Sequence, residues 1–218
     1  MIRYGLAGPM AALSTLLLVS CGSGERPAGA DATTTASAPG RSSAPAAENP
    51  GSEVPLVSLN AADVARWTTV NDPVMGGRST SNVAYGDGGL VFSGTISLEN
   101  NGGFASARSP EDPDIGRRAT GATSIRVRAV GDGKTYVLRV GAAGQPWSYI
   151  QRFRTEAGVQ RTYELAVGAF QPVGMRMDPA PQAPATLDPS SISGVSVYIL
   201  DKQQGPFAIT ITGIDAAH

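Results

Sequence analysis

The run Trp67-Thr68-Thr69-Val70-Asn71-Asp72-Pro73-Val74-Met75-Gly76-Gly77-Arg78-Ser79 begins as a strand and ends as a tightly specified loop. Asp72 precedes a proline and is pushed out of the helical region toward extended geometry. The Gly76-Gly77 pair permits positive φ or close approach of another backbone. Trp67 and Val70 are expected to anchor the segment in a core, and Met75 is of a type usually buried. Asn71, Asp72 and Arg78 keep the loop polar. Such a loop needs a stiff frame on both sides.

The sequence around it supplies strands. Ser81 to Tyr85 and Leu90 to Leu98 alternate polar and apolar residues and flank Gly86-Asp87-Gly88-Gly89, a hairpin-type turn. Ile125, Val127 and Ala129 alternate with Arg126 and Arg128, which puts the basic pair on a wet face. Gly131-Asp132-Gly133 turns into Tyr136 to Val140, and Ser148 to Thr155 and Arg161 to Val167 read as two more strands. Val195, Val197 and Ile199 alternate with Ser196 and Tyr198; Phe207, Ile209 and Ile211 alternate with Ala208, Thr210 and Thr212. Residues Gln171 to Pro189 hold five prolines and read as a long surface loop between strands. About ten closely spaced strands without a long amphipathic helix predict an all-β sandwich or jelly roll over residues 56–218.

Composition agrees. Of 218 residues, 41% are apolar, and 27 glycines with 16 prolines favour turns over long helices. The formal charge of −1 lacks the concentrated basic surface that nucleic-acid binding requires. One cysteine excludes an intrachain disulfide or a multi-cysteine metal site. The one histidine is His218, and although loops rich in Asp and Asn could offer oxygen ligands to Ca²⁺, their spacing matches no cation-loop motif, so no cofactor or metal centre is expected.

Residues 1–20 read as an export signal: Arg3, then the apolar run Ala11 to Val19, too short for a comfortable membrane span. Leu18-Val19-Ser20-Cys21-Gly22 resembles a bacterial lipobox, which implies cleavage before Cys21 and acylation of that residue. The alternative is an ordinary secreted signal with an incidental cysteine. Two or more acyl chains give stable anchoring, placing the protein on the extracytoplasmic side of a bacterial envelope membrane. Residues 21–55 are Gly, Ala, Ser, Thr and Pro with few large apolar side chains, the composition of a disordered tether.

Two more polar stretches stand out. Leu98-Glu99-Asn100-Asn101-Gly102-Gly103-Phe104-Ala105-Ser106 contains Asn101-Gly102, a strong hairpin signal. Leu200-Asp201-Lys202-Gln203-Gln204-Gly205-Pro206-Phe207 joins two strands. Taken with the first run, these resemble the complex I intermediate-associated protein 30 family. Its pattern of a Trp followed by V-N-D-x-V-M-G-G-x-S falls on Trp67 and Val70 to Ser79. Its N-N-G-G-F-A-S falls on Asn100 to Ser106, and its D-K-Q-x-G-P-F on Asp201 to Phe207. Gly131-Asp132-Gly133 and Phe170-Gln171-Pro172 also look like family features. Val159-Gln160-Arg161 departs from it by lacking an aromatic, as does Val173-Gly174 after Pro172. The resemblance implies a galactose-binding-like jelly-roll sandwich. Its mitochondrial members look like chaperones for assembly of respiratory complex I.

No nucleophile–base pair is legible, so no catalytic residue is assigned. Asp72, Glu99 and Asp201 could serve glycoside chemistry only if two of them converged. If Trp147 to Thr155 is a strand, Trp147, Tyr149, Gln151 and Phe153 share a face that could stack a sugar or peptide, or pack in the core. Tyr198 is a second candidate for that surface. The binding candidates are Asn71, Asp72, Arg78, Asn101, Trp147, Tyr149, Asp201, Lys202 and Gln203, although the loop residues among them could equally be structural. The leading expectation is a non-catalytic, lipid-anchored module recognising a protein or glycan. The alternatives are an assembly chaperone, which needs a broad apolar patch, and a carbohydrate-active enzyme.

Overall fold

The computed structural model describes residues 52–218. The leader, Cys21 and most of the tether lie outside the described residues. Among the described residues there are twelve strands: β1 (Glu53–Pro55), β2 (Thr68–Asn71), β3 (Thr80–Gly86), β4 (Gly89–Ile96), β5 (Ala105–Arg108), β6 (Ser124–Val130), β7 (Thr135–Ala142), β8 (Ser148–Arg154), β9 (Gln160–Ala166), β10 (Gln171–Val173), β11 (Ile192–Ile199) and β12 (Gly205–Ala217). Helix is confined, among the described residues, to α1 (Ala61–Val64), α2 (Asp114–Ala119) and a few 3-10 turns.

The strands form two antiparallel sheets, as the alternating pattern predicts. The first sheet runs β3-β4-β12-β6-β9, and β1 adds to β12; the second runs β10-β8-β7-β11-β5-β2. The β3–β4 turn has Asp87 and Gly88 at φ 49 and 77, the left-handed pair that a two-residue hairpin with native twist demands. Strand β12 is the spine of the first sheet. It pairs with β4 over Gly205–Ile211 and with β6 over Thr210–Ala217, with a register shift between Ile211 and Gly213. β1 pairs with its last three residues, so Glu53, Val54 and Pro55 belong with the sheet.

One apolar cluster fills the space between the sheets. Leu90, Phe92, Ile125, Val127, Phe207, Ile209 and Ile211 come from the first sheet; Tyr136, Leu138, Val140, Phe153, Val197 and Ile199 come from the second. These are the apolar positions of the period-2 runs, so register and burial agree. Phe92 and Phe207 meet edge-on at 4.9 Å between centroids. The stretch expected as a plain surface loop is more structured than its five prolines suggest. It contributes β10, and Ala180 and Leu187 are buried.

Close strand approach constrains small residues. A Cβ at Gly94 would lie 2.0 Å from the Thr80 carbonyl oxygen, whereas one at Gly194 would meet nothing within 4 Å. Gly94→Ala is therefore expected to destabilise the domain by about 1–3 kcal/mol through overpacking, lowering the thermal midpoint by roughly 3–10 °C. Gly194→Ala is expected to leave the midpoint nearly unchanged. Thermal denaturation followed by circular dichroism checks the pair.

Candidate functional site

The signature run crosses from the second sheet to the first. β2 is an edge strand of one and β3 of the other, and the turn between them is a short 3-10 helix over Asp72–Met75, closed by Gly76 at φ 89. The Glu99–Phe104 stretch makes the reverse crossing, from β4 to β5. Asp72 ties the two crossings together. Its Oδ1 accepts the Ser79 amide (2.7 Å), and its Oδ2 accepts the Ser79 hydroxyl and the amides of Gly103 (2.6 Å) and Phe104 (3.2 Å). Its own amide donates to the Phe104 carbonyl at 3.3 Å. The Ser79 hydroxyl oxygen in turn accepts the Ser97 amide at 3.0 Å.

The glycines of the two runs follow from this carboxylate. A Cβ at Gly77 would lie 2.4 Å from the Asp72 side chain, and one at Gly102 would lie 2.7 Å from it. Asp72 is only 1% exposed. Burial opposes its charge, but the Ser79 hydroxyl and the amides of Gly103, Ser79 and Phe104 outweigh it, so its pKa lies below the usual carboxylate range.

The third signature run closes against the second: a Cβ at Gly103 would be 3.6 Å from the Lys202 Cα. Gln203 inserts its amide like a short strand. Its Oε1 accepts the Thr135 amide (2.9 Å), while its Nε2 donates to the carbonyls of Thr135 (2.7 Å) and Leu200 (3.0 Å). Asp201 accepts two bonds from Arg152, both 2.9 Å, and Arg152 holds its carboxyl below the ordinary range. The backbone at Asp201 and Lys202 is left-handed, φ 62 and 53, as it is at Asn101, φ 59.

The structure thus gathers Asn71, Asp72, Arg78, Asn101, Asp201, Lys202 and Gln203 at one end of the sandwich, where most of them hold the fold. The polar atoms of Asp72 and Gln203 are already bonded within the protein, which is the structural alternative for these two residues. Asn71 is bonded to the Ser81 hydroxyl at 2.7 Å. Arg78 pairs with Glu99 at 3.0 Å in the open, a contact of small energetic weight. Asn101 serves the turn, and Lys202 is exposed.

Trp147 and Tyr149 belong to the opposite end of the β7–β8 pair, since Ser148 faces Gly141 whereas Arg154 faces Thr135. The aromatic face of β8 points inward. Tyr149 and Phe153 are core residues and Trp147 packs against the core, so packing wins over ligand stacking there. The Tyr149 hydroxyl donates to the Pro184 carbonyl at 3.0 Å. Tyr198 lies on the outer face of the second sheet, not on the face of Tyr149. Two further expectations change. Val70 is only half-buried, because it shares the outer face with Ser106. Met75 is 67% exposed and Val74 71% exposed, because the crossing is short and Asp72, not Met75, fills its interior.

The surface that sequence reasoning passed over is the outer face of the second sheet. Directly opposed residues in neighbouring strands share a face. One row across this sheet is therefore Thr68, Arg108, Ser196, Arg139, Ile150 and Gln171; the next holds Val70, Ser106, Tyr198, Val137 and Arg152. Val137, Ile150, Val173 and Tyr198 form a small buried apolar cluster of their own there, with Met177 and Leu200 packed against it, so the protein itself covers part of this face. The alternation of Arg152 and Arg154 in β8 was a visible signal, but only the strand order shows that Arg108 and Arg139 join them. A separate cleft of about 540 Å³ is lined by Leu56, Trp67, Glu111 and Arg118 among others. Its Arg118 is already bonded to Asp112 (2.6 Å) and to the Leu56 carbonyl (2.8 Å).

Two packed antiparallel sheets with this face and these crossings make the domain a galactose-binding-like β-sandwich, the fold of known carbohydrate-binding modules. One similar solved structure is the family 11 module of a cellulosomal cellulase of Clostridium thermocellum; it is 14% identical over 74% of this chain and 95% of that one, at a TM-score of 0.50. Another is the family 11 module from Clostridium thermocellum in complex with a β-1,3-1,4-mixed-linked tetrasaccharide; it is 14% identical over 76% and 95%, at a TM-score of 0.52. A comparison with curated proteins finds no match. The chain belongs to the Complex I intermediate-associated protein 30 (CIA30) family, whose model matches residues 57–211.

Because the folded-state pKa of Asp72 is depressed, its contribution to stability is complete above the unfolded carboxylate pKa and is lost as pH falls toward the folded value. Asp72→Asn is expected to cost about 3 kcal/mol at neutral pH, because it turns a charged acceptor of buried amides into a half-donor. It should also flatten the dependence of the thermal midpoint on pH below about pH 4. Melting curves of both proteins between neutral and acidic pH check this.

Proposed function

We propose that the domain is a non-catalytic module that binds a glycan, held on the extracytoplasmic side of a bacterial membrane by acylation of Cys21. The observation that carries this reading is the fate of the polar groups. The three carboxylates that could have served glycoside chemistry are each engaged: Asp72 by buried amides, Glu99 by Arg78 and Asp201 by Arg152. The outer face of the second sheet meanwhile keeps guanidinium groups directed away from the core. Carbohydrate-binding modules with this fold supply only an analogy, because function resides in the site and not the fold.

The test is affinity electrophoresis of the full chain in gels holding neutral or acidic polysaccharides. Retardation by at least one of them, with no release of reducing ends on prolonged incubation, is expected. Release of reducing ends would overturn the non-catalytic reading. Labelled fatty acid should enter the wild-type protein in a bacterial host and not Cys21→Ser, which should leave the membrane fraction.

A second reading, protein docking in assembly of a membrane complex, is favoured by one specific observation. Val74 and Met75 are held out in solvent by a signature turn within the family-matched residues. If they form a docking point, Val74→Ser with Met75→Gln removes a cross-linked envelope partner without lowering the thermal midpoint. Retention of that partner removes the reading.

A further inference from the structure

We infer that the outer face of the second sheet binds a carboxylate-bearing glycan, with Arg108 and Arg139 as its anchoring cations. This rests on the glycan-binding reading and adds the chemical class of the ligand.

The two sheets treat their arginines differently. The strands of the first sheet carry Arg126, Arg128 and Arg161 together with Glu53, Glu164 and Asp215. Arg126 and Arg128 each reach Glu53 at 2.8 Å, Arg128 also reaches Asp215 at 2.9 Å, and Arg161 reaches Glu156 at 2.7 Å. The strands of the second sheet carry Arg108, Arg139, Arg152 and Arg154 and no acidic residue. The register places all four on the outer face. Among the described residues only Arg152 of these has a carboxylate partner, Asp201 from the loop. In a protein of net charge −1, that is a local positive field without internal compensation.

Arg108 and Arg139 are the pair best placed to use it. They lie in one row on either side of Ser196, two strands apart, or about 10 Å at ordinary strand spacing. The Arg108 guanidinium sits over the Tyr198 ring at 5.6 Å, and its Nε donates to the Ser106 hydroxyl at 3.2 Å. Ring and hydroxyl fix the fork, leaving its terminal N–H groups for a carboxylate. Arg139 has no carboxylate partner among the described residues, and its Nε is buried without a hydrogen-bond partner, so any ligand would meet its terminal N–H groups. Both arginines are partly exposed and border the buried cluster of Val137 and Tyr198.

The spacing favours a sugar polymer over an acidic peptide. An extended peptide presents same-face side chains about 7 Å apart, out of step with the two arginines. A polyuronate carries its carboxylates on rigid rings, and alternate rings present them at a separation comparable with two strands. Carboxylate against guanidinium gives the strong, bidentate contact that a neutral hydroxyl cannot.

The test is titration calorimetry of the full chain with polygalacturonate, its methyl-esterified form, a neutral mixed-linkage β-glucan and polyglutamate. Polygalacturonate is expected to bind about tenfold or more tighter than the ester, and salt should weaken it. Arg108→Gln with Arg139→Gln should remove that preference, and Arg117→Gln on α2 should leave it intact. If the double Gln variant does not melt cooperatively, the double Lys variant keeps the charge but not the fork and should retain only part of the preference. Equal binding of acid and ester, or a preference unmoved by the substitutions, overturns this inference and leaves the glycan-binding reading standing. Binding of no polysaccharide overturns both. Polyglutamate bound as tightly as polygalacturonate assigns the face to an acidic protein and overturns it as well.

Discussion

A single buried carboxylate holds the two sheets in register at one end. Asp72 lies in the crossing from β2 to β3, and its partners Gly103 and Phe104 lie in the crossing from β4 to β5. The first crossing joins edge strands of different sheets and the second joins their inner neighbours, and neither crossing has a strand ladder of its own. Removing a carboxylate from water costs several kcal/mol after relaxation, yet hydrogen bonds to a charged group return about 1.5–3 kcal/mol each. With four donors on two oxygens the bonds win, as the direction of the Asp72 pKa shows. Gly77 then follows as a steric requirement of this side chain, and Gly102 as one shared by it and the Ser97 carbonyl. The exposed Val74–Met75 turn is likewise a product of this anchor, because the backbone has nowhere else to go between Asp72 and Gly76.

The outer faces of the sheets divide the electrostatic work. On the first sheet, Glu53 bridges Arg126 and Arg128, and through them β1 is fixed beside the far half of β12. That network is closed, with each guanidinium answered by a carboxylate. The second sheet is left open by the same accounting. Arg152 is satisfied by Asp201, whose own position depends on the left-handed turn that follows β11. The signature runs thus border the outer face of the second sheet and reach onto it through Val70 and Ser106.

Much of the architecture was legible because it rests on a period of two. Ile125, Val127 and Ala129 are buried while Arg126 and Arg128 turn outward, and Phe207, Ile209 and Ile211 are buried in the same alternation. The Asp87-Gly88 turn was legible because few residue pairs tolerate that backbone. The candidate site was much less so. A carboxylate reads the same in sequence whether it meets solvent or four buried donors, and only the convergence of Gly103, Phe104 and Ser79 separates the cases. The face of Trp147, Tyr149 and Phe153 had the correct periodicity, but periodicity does not say which of two faces meets the other sheet. Arg108 and Arg139 lie thirty-one positions apart, and they become neighbours only because β11 is inserted between β5 and β7.

Strand β12 has a kinetic implication. It is the last of the twelve to be synthesised, yet it lies between β4 and β6 and also receives β1. Until those thirteen residues emerge, β3–β4 and β6–β9 are separate ribbons without a common partner. Isolated hairpins are marginal in water, and distant pairings of this kind form slowly. The first sheet therefore cannot close until its last strand is made, whereas the second sheet has all its strands by then, so the two halves of the sandwich become complete at different times.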